Sequence, residues 1–267
     1  MVFRVAQTWV KENNMPLGTE KAVLLGSGSA GPPDVVEYLV QGGGGGASGG
    51  TSGVNLGSAG AGGIHATASG FSVTAATNIT VTVGAGGAGS LTTASAGASS
   101  VFSTVTSTGG GGAGTGRTGA SNASYSGGTG SHEFDGGGGA GASANGSGDH
   151  GGAGVDSSIT GSSVGRGGGG AAPEGGTSSD GGAPWTPLGS DGTVNTGGGG
   201  GGGNSGISGG DGGSGVVIIA YLNKFADLSS VDSGLTVNGS TGNTTPNTSR
   251  SGYKVYIFTA GTGNIQF

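Results

Sequence analysis

Residues 109–215 consist almost wholly of Gly, Ala, Ser, Thr, Asn and Asp, and this stretch limits what the chain can fold into. So few large side chains cannot bury a conventional hydrophobic core. Glycine also loses more backbone entropy on ordering than any other residue, and the chain contains 73 of them. The stretch is therefore either a low-complexity linker or a structure that its backbone, rather than its side chains, holds in order.

A bundle of polyglycine II rods is the ordered structure that such a composition allows. These extended helices have three residues per turn and no internal hydrogen bonds, so their peptide groups point outward to neighbouring rods. Collagen is excluded because the chain has no strict glycine at every third position. Uninterrupted glycine blocks begin at residues 109, 136, 167 and 197, at separations of 27, 31 and 30 residues. This near-regular spacing favours an up-and-down bundle with its most crowded rods in the interior.

The segments that flank the glycine-rich stretch predict β-strands. Alternating apolar residues mark residues 71–83, and the most apolar run in the chain, residues 216–222, predicts a central strand. Residues 253–259 and 264–267 predict a hairpin around the Gly-bearing turn 260–263. No amphipathic helix of convincing length is visible.

These patterns predict an all-β fold, a jelly-roll-like β-sandwich with an inserted polyglycine II bundle and no substantial helix. The predicted organisation has four parts. These are an N-terminal docking arm at residues 1–34, the first part of the sandwich at 35–108, the glycine-rich region at 109–215, and the remaining strands with the C-terminal hairpin at 216–267.

Composition excludes several classes of function. A net charge of -6 with only 8 Lys and Arg argues against nucleic-acid binding, which needs clustered cations. No apolar run approaches the length of a membrane span, so we expect no membrane insertion. The first residues lack a signal-peptide pattern, since Lys11 and Glu12 interrupt the early apolar stretch. We therefore expect synthesis in a cell's cytoplasm without a signal peptide.

The titratable residues do not form a catalytic pattern. His65, His132 and His150 are scattered without metal-ligand spacing, and no calcium-loop motif occurs. No pair of carboxylates can be nominated for glycoside hydrolysis. The match to G-x-G-x-x-G at residues 26–31 is followed by two prolines where a nucleotide-binding helix would have to begin. We expect no enzyme activity, no catalytic residue, no metal and no cofactor.

Several stretches together carry a resemblance to a known family. They are VEYLV at 36–40 leading into the glycines 42–46, NITVTVGAGG at 78–87, GGSGVVIIAY at 212–221 and SGYKVYIFTAG at 251–261. In their order along the chain and in their residue sequence, they resemble the glycine-rich domain of phage tail fibres and related virion adhesins. The resemblance implies a virion protein in which polyglycine II rods carry host-binding loops at the fibre tip. It also implies virion localisation and a homo-oligomer, for which a trimer is one candidate.

The few large or cationic side chains between the glycine blocks are the candidates for receptor binding. Aromatic faces suit a glycan or protein receptor on a host cell, and arginines suit anionic groups. The candidates are Tyr125, His132, Phe134, Trp185, Arg117 and Arg166. The alternative is that the aromatic residues staple the ends of the bundle.

The apolar N-terminal residues Phe3, Val5 and Trp9 are candidates for docking to other virion proteins. Two further functions stay open beside the adhesin. One is a purely structural fibre or a head or tail decoration protein, and the other is an ice-binding or surface-coating protein.

Overall fold

The computed structural model describes residues 30–51, 56–133 and 135–267, and within them it contains strands but no helix. The all-β fold class is therefore confirmed. The chain divides into residues 1–31 and residues 32–267, and all strands found in the described residues lie in the second unit. They are β1 (Val35–Gln41), β2 (His65–Ser72), β3 (Ile79–Thr82), β4 (Ser100–Phe102), β5 (Val105–Ser107), β6 (Val155–Ser157), β7 (Val164–Arg166), β8 (Val216–Leu222), β9 (Ser230–Val231), β10 (Leu235–Val237), β11 (Ser240–Thr241) and β12 (Tyr253–Gln266).

Ten strands form a single antiparallel sheet. Its main path is β2-β1-β8-β12-β3-β4-β5, with β9 and β10 paired to β12 and β11 paired to β10. The sheet curls until β5 lies beside β1 and β2, so the predicted sandwich takes the form of a nearly closed barrel. Strands β6 and β7 form a separate hairpin.

Strand β8 lies at the centre, as its apolar run predicted. Val217 and Ile219 point into the main core with Tyr256 and Phe258 from β12. The intervening residues of β8 point to the opposite face, where Ile159 of the β6–β7 hairpin packs on them. Because both faces of β8 are covered, the strand is apolar throughout instead of alternating.

The predicted C-terminal hairpin is wrong, since β12 is one continuous strand of 14 residues. Its first half pairs with β8 and its second half with β3. Thr236 lies opposite Ala260 while Val237 lies opposite Phe258, so β12 has one additional residue at this point. Such a β-bulge bends a strand, and Gly261 follows it with a φ of +97°. The residues that resemble a turn therefore bend the strand from one part of the sheet to the other.

The strands of the barrel continue directly into extended glycine-rich rods. Gln41 at the end of β1 is followed by residues 42–48, which lie at the centre of six neighbouring rods. Their amides donate to three antiparallel rods, residues 57–64, 94–98 and 209–213. Their carbonyl groups accept from three parallel rods, residues 84–90, 109–113 and 197–203. Five of the six neighbours adjoin a strand of the barrel, so the bundle prolongs it.

Hydrogen bonding in the central rod repeats every third residue. The amides of Gly43 and Gly46 donate to Ala98 and Ser95 of one rod at 2.9 and 3.0 Å. Those of Gly44 and Ala47 donate to a second rod, at 2.9 and 2.8 Å, and those of Gly42 and Gly45 donate to a third, at 3.0 and 2.8 Å. This rotation among three partners is the geometry of a helix with three residues per turn. The predicted polyglycine II bundle is therefore present.

The rods extend well beyond the region predicted for them. Residues 42–48, 57–64, 84–90 and 94–98 are rods, although the sequence analysis placed them with the first part of the sandwich. They were misplaced because a short glycine block after a strand looks like the end of that strand. The predicted insertion of a separate bundle between two strands is replaced by continuous strand-to-rod transitions. Residues 1–29, including the predicted docking residues Phe3, Val5 and Trp9, lie outside the described residues.

Candidate functional site

The rods end in a group of loops on the side of the bundle away from the barrel. Since the rod that follows β1 runs from Gly42 to Ser48, the end at Ser48 is the distal end. Hydrogen bonds link the loops of this end to one another, for example from Arg117 to Gly130 and from Ser131 to Asp149. We call them the distal loops; they comprise residues 49–51, 90–93, 114–117, 130–133, 147–150, 172–176, 186–189 and 204–208.

Three of the distal loops carry exposed aliphatic side chains, and backbone hydrogen bonds connect these loops in series. Leu91, Leu188 and Ile207 are 40%, 75% and 37% exposed. The carbonyl group of Ser90 accepts from Gly49 at 2.8 Å and from Gly209 at 3.1 Å, and that of Pro187 accepts from Asn204 at 3.3 Å. The three side chains therefore lie on adjoining loops. The sequence analysis missed them, although a large apolar residue inside a Gly- and Ser-rich turn was the available signal.

His132 lies in a distal loop, as its candidacy requires. Its side chain is 83% exposed, and Nδ1 lies 2.7 Å from the Asp135 carboxylate, which is 7% exposed. The same carboxylate accepts from the His132 amide at 3.0 Å, so Asp135 holds the turn and His132 faces solvent. Phe134, between them in sequence, lies outside the described residues.

Arg117 also lies in a distal loop and is an exposed residue. Its Nη2 donates to the Gly130 carbonyl group at 2.7 Å, while the Gly130 amide donates to the Arg117 carbonyl group at 2.7 Å. These two bonds join the 114–117 and 130–133 loops. Arg117 thus supports the distal surface as well as placing a positive charge on it.

Trp185 immediately precedes the distal loop 186–189, and its side chain is only partly exposed to solvent. The residue is half-buried, and its Nε1 is buried without a hydrogen-bond partner in the described part of the protein. Leu188, three residues later, is the exposed side chain of this loop. The geometry therefore favours a stapling role for Trp185 over presentation to a receptor.

Tyr125 does not belong to the distal loops. Its turn is held by Asn122, whose side-chain amide donates to Gly62 and Gly141 on the barrel side of the rods. The ring packs against a cluster of buried alanines that includes Ala120 and Ala140. This environment makes Tyr125 a staple of the bundle.

Arg166 is buried, which overturns its candidacy for binding anionic receptor groups. It is 6% exposed and lies at the end of β7, where Nη1 donates to the Val164 carbonyl group at 3.2 Å. Burial lowers the pKa of its guanidinium. The sequence could not reveal this position, because Arg166 looks like a turn residue before a glycine block.

A buried polar cluster lies beside Arg166, at the junction of barrel and bundle. Gln41 is fully buried, donates from Nε2 to Gly63 at 2.8 Å and places Oε1 3.0 Å from Nδ1 of His65. Burial first, and then the charge of Arg166, lower the pKa of His65 to about 4. Nε2 of His65 and Nε of Arg166 are buried without hydrogen-bond partners in the described residues. The cluster is therefore a structural junction that accommodates a neutral histidine.

The described residues contain neither a metal-binding cluster nor a membrane-spanning helix. No group of three or more His, Cys, Asp or Glu side chains there is arranged to hold a metal ion. Nor does this part of the protein contain a helix with the length and apolar character for crossing a bilayer.

The fold and the distal loops define an all-β protein in which a glycine-rich rod bundle presents loops at one end. The glycine-rich domain family matches residues 27–222, and the chain belongs to that family. The match covers the rods and the strands from β1 to β8. Comparison with curated proteins and with solved structures yields no match for this chain.

Proposed function

We propose that the protein is a non-catalytic phage virion protein, a tail fibre or tip adhesin, that binds a receptor on a bacterial surface through its distal loops. The observation that carries the proposal is the set of adjoining loops with exposed Leu91, Leu188 and Ile207 at one end of the bundle. Apolar side chains that adjoining loops leave exposed to solvent favour an interaction surface. The virion assignment rests on the sequence resemblance to tail-fibre glycine-rich domains.

The chemistry of the distal loops favours an outer-membrane protein as the receptor over a polysaccharide. Aliphatic side chains gain free energy by burial against other apolar groups, whereas sugars are recognised by aromatic faces and convergent polar groups. Trp185, the largest aromatic candidate, is half-buried, so less of its ring is exposed for stacking on a sugar. His132 and Arg117 would form part of the polar rim of such an interface.

A stiff scaffold suits this function. Each rod is fixed to its neighbours by backbone hydrogen bonds, so each loop is a short segment between two fixed rod ends. Loops on a rigid scaffold lose little conformational entropy on binding. The remaining partners are also proposals: other virion proteins through the N-terminal arm, and further copies of this chain in a homo-oligomer.

Binding of the labelled full chain to a panel of bacterial strains tests the proposal. We expect Leu188→Ser to reduce binding tenfold or more, because truncation of a hot-spot residue costs about 2 kcal/mol or more. Val194→Ser is the matched control, since Val194 is 67% exposed in a turn on the barrel side of the bundle. Equal loss in both variants would contradict a distal receptor site. Absence of binding by the intact chain across the panel would leave the purely structural fibre or decoration protein.

A further inference from the structure

A polar cleft lies on the barrel, at the opposite end of the protein from the distal loops. It has a volume of about 290 Å³. This is near the lower end of the roughly 300–1,000 Å³ that ligand pockets usually span. Strand β2 contributes Thr67 and Ser69, the β6–β7 hairpin contributes Ser157 and Ser158, and Glu37 and Arg250 complete the polar lining.

A β-bulge shapes the β2 side of the cleft. Val36 pairs with Phe71 and Tyr38 with Ala68, so two residues of β2, Ser69 and Gly70, lie opposite Glu37 alone. Gly70 has a φ of +78°, a conformation that favours glycine. Bulges of this kind re-aim side chains at binding sites. Here the bulge lies beside Glu37 at the edge of the sheet.

Glu37 and Arg250 form a preorganised pair in the cleft. The two nitrogens Nη1 and Nη2 of Arg250 donate to the two carboxylate oxygens at 2.6 and 3.1 Å. Their side chains are 29% and 22% exposed, so the pair is held in place and still accessible. The guanidinium also lies 3.6 Å from the centre of the Tyr253 ring. The hydrogen bond to Glu37 raises the pKa of Arg250.

The hydroxyl groups of the cleft leave hydrogen-bonding capacity for a ligand. The hydroxyls of Ser69 and Ser158 make no hydrogen bond within the described part of the chain. Thr67 donates to the Tyr38 carbonyl group at 2.8 Å, so its oxygen is still able to accept. Donors and acceptors therefore converge from two sides on a site whose formal charges cancel.

This pattern selects a neutral polyhydroxylated ligand. A carboxylate accepts from sugar hydroxyls and a guanidinium donates to them, and both are present as one neutral pair. A free anion would meet Glu37, and a free cation would meet Arg250, so either gains little from the site. Among the described residues no aromatic face lines the cleft, so the ligand is bound by hydrogen bonds around its rim and not by stacking.

We infer that this cleft is a subsite for one neutral monosaccharide unit. The site is separate from the distal loops and does not depend on their receptor. It would give the protein a second, glycan-directed contact at its barrel end.

Saturation-transfer NMR of the full chain with glucose, galactose, mannose, fucose and N-acetylglucosamine tests this inference, with glucuronate as the charged comparison. We expect at least one neutral sugar to bind in preference to glucuronate. The double variant Ser69→Ala/Ser158→Ala should weaken that binding about tenfold or more, because two ligand hydrogen bonds of roughly 1 kcal/mol each are lost. Glu37→Gln should weaken it as well.

The matched control is Ser162→Ala/Ser163→Ala, which removes two exposed hydroxyls from the same hairpin outside the cleft. It should leave sugar binding unchanged, as should Leu188→Ser at the distal end. Thermal melting of each variant verifies that the fold is intact. Absence of binding by any neutral sugar, preference for glucuronate, or equal binding by the cleft variant and its control would overturn the inference.

Discussion

The carbonyl oxygen of Gly111 occupies the space in which a β-carbon on Gly45 would have to lie. The adjacent glycines are blocked in the same way by other rods, Gly44 by the carbonyl group of Gly198 and Gly46 by that of Ala88. Three successive residues thus face three different backbones at a separation that excludes a methyl group. Glycine is required here for packing, and no side chain could replace it without separating the rods.

Gly45→Ala should therefore destabilise the protein by about 3 kcal/mol or more, because overpacking against a fixed backbone cannot be relieved by a rotamer change. Urea unfolding measures the change in free energy. Gly114→Ala is the control, since no atom lies within 4 Å of a β-carbon at that position. It should leave stability unchanged or slightly raised. Equal stability of the two variants would contradict the tight rod packing.

Ile159 attaches the β6–β7 hairpin to the outer face of the barrel. It is 7% exposed and packs with Leu39, Ile218 and Val255. Ile159→Ala should cost about 2–4 kcal/mol of unfolding free energy through lost burial and a residual cavity. Leu188→Ala, at a side chain that is 75% exposed, should change stability by less than ~0.5 kcal/mol. A similar cost at both sites would show that the hairpin is not anchored by Ile159.

Titration of His65 should make stability fall in mild acid. Its pKa is lowered from 6.5 to about 4 in the folded protein, so the unfolded chain takes up this proton first as the pH falls. The stability associated with neutral His65 is complete above pH 6.5 and is lost progressively towards pH 4. The slope is about 1.4 kcal/mol per pH unit within that window.

His65→Gln should remove this part of the pH dependence, while the carboxylates continue to titrate in both proteins. The measurement is the difference in unfolding free energy between wild type and variant at intervals from pH 7.5 to 4. A difference that does not vary with pH would contradict the lowered pKa of His65.

The hydroxyl group of Tyr256 connects several buried segments of the barrel. It accepts from the Leu228 amide at 3.1 Å and donates to the Thr244 carbonyl group at 3.1 Å. Tyr256→Phe should cost about 1–3 kcal/mol, because it leaves the buried Leu228 amide unpaired. Tyr125→Phe is the control, since the Tyr125 hydroxyl makes no hydrogen bond within the described residues. Thermal melting compares the two variants directly. An equal change in melting temperature would contradict a stabilising role for the hydrogen bonds of the Tyr256 hydroxyl.

The all-β class and the existence of rods could be predicted because both depend on local composition. Val216–Leu222 is apolar enough to require two covered faces, and the glycine blocks leave few ordered alternatives. Which rods meet could not be predicted. The central rod follows β1, and its six neighbours come from parts of the chain up to 169 residues further on, as in the hydrogen bond from the Gly44 amide to the Gly213 carbonyl group.

The errors arose where a local pattern has two structural solutions. Gly261 and Gly263 suit a hairpin turn as well as a bent strand, and only pairing with both β8 and β3 decides between them. Arg166 precedes a glycine block and looks exposed, but packing at the end of β7 buries it. At the candidate site, His132 and Arg117 were nominated from their residue types alone and lie in distal loops. Leu188 could not be nominated in the same way, because its exposure depends on the conformation of its loop.

The threefold rotation of hydrogen-bond partners in the central rod has a consequence for insertions and deletions. Gly43 and Gly46, which are three residues apart, donate hydrogen bonds to the same neighbouring rod. Adding one residue between them would turn every later amide by about 120°, towards the wrong rod. Adding three would restore each direction and only lengthen the rod. Rod lengths in homologous chains are therefore expected to differ in multiples of three residues, while the intervening loops vary without such counting.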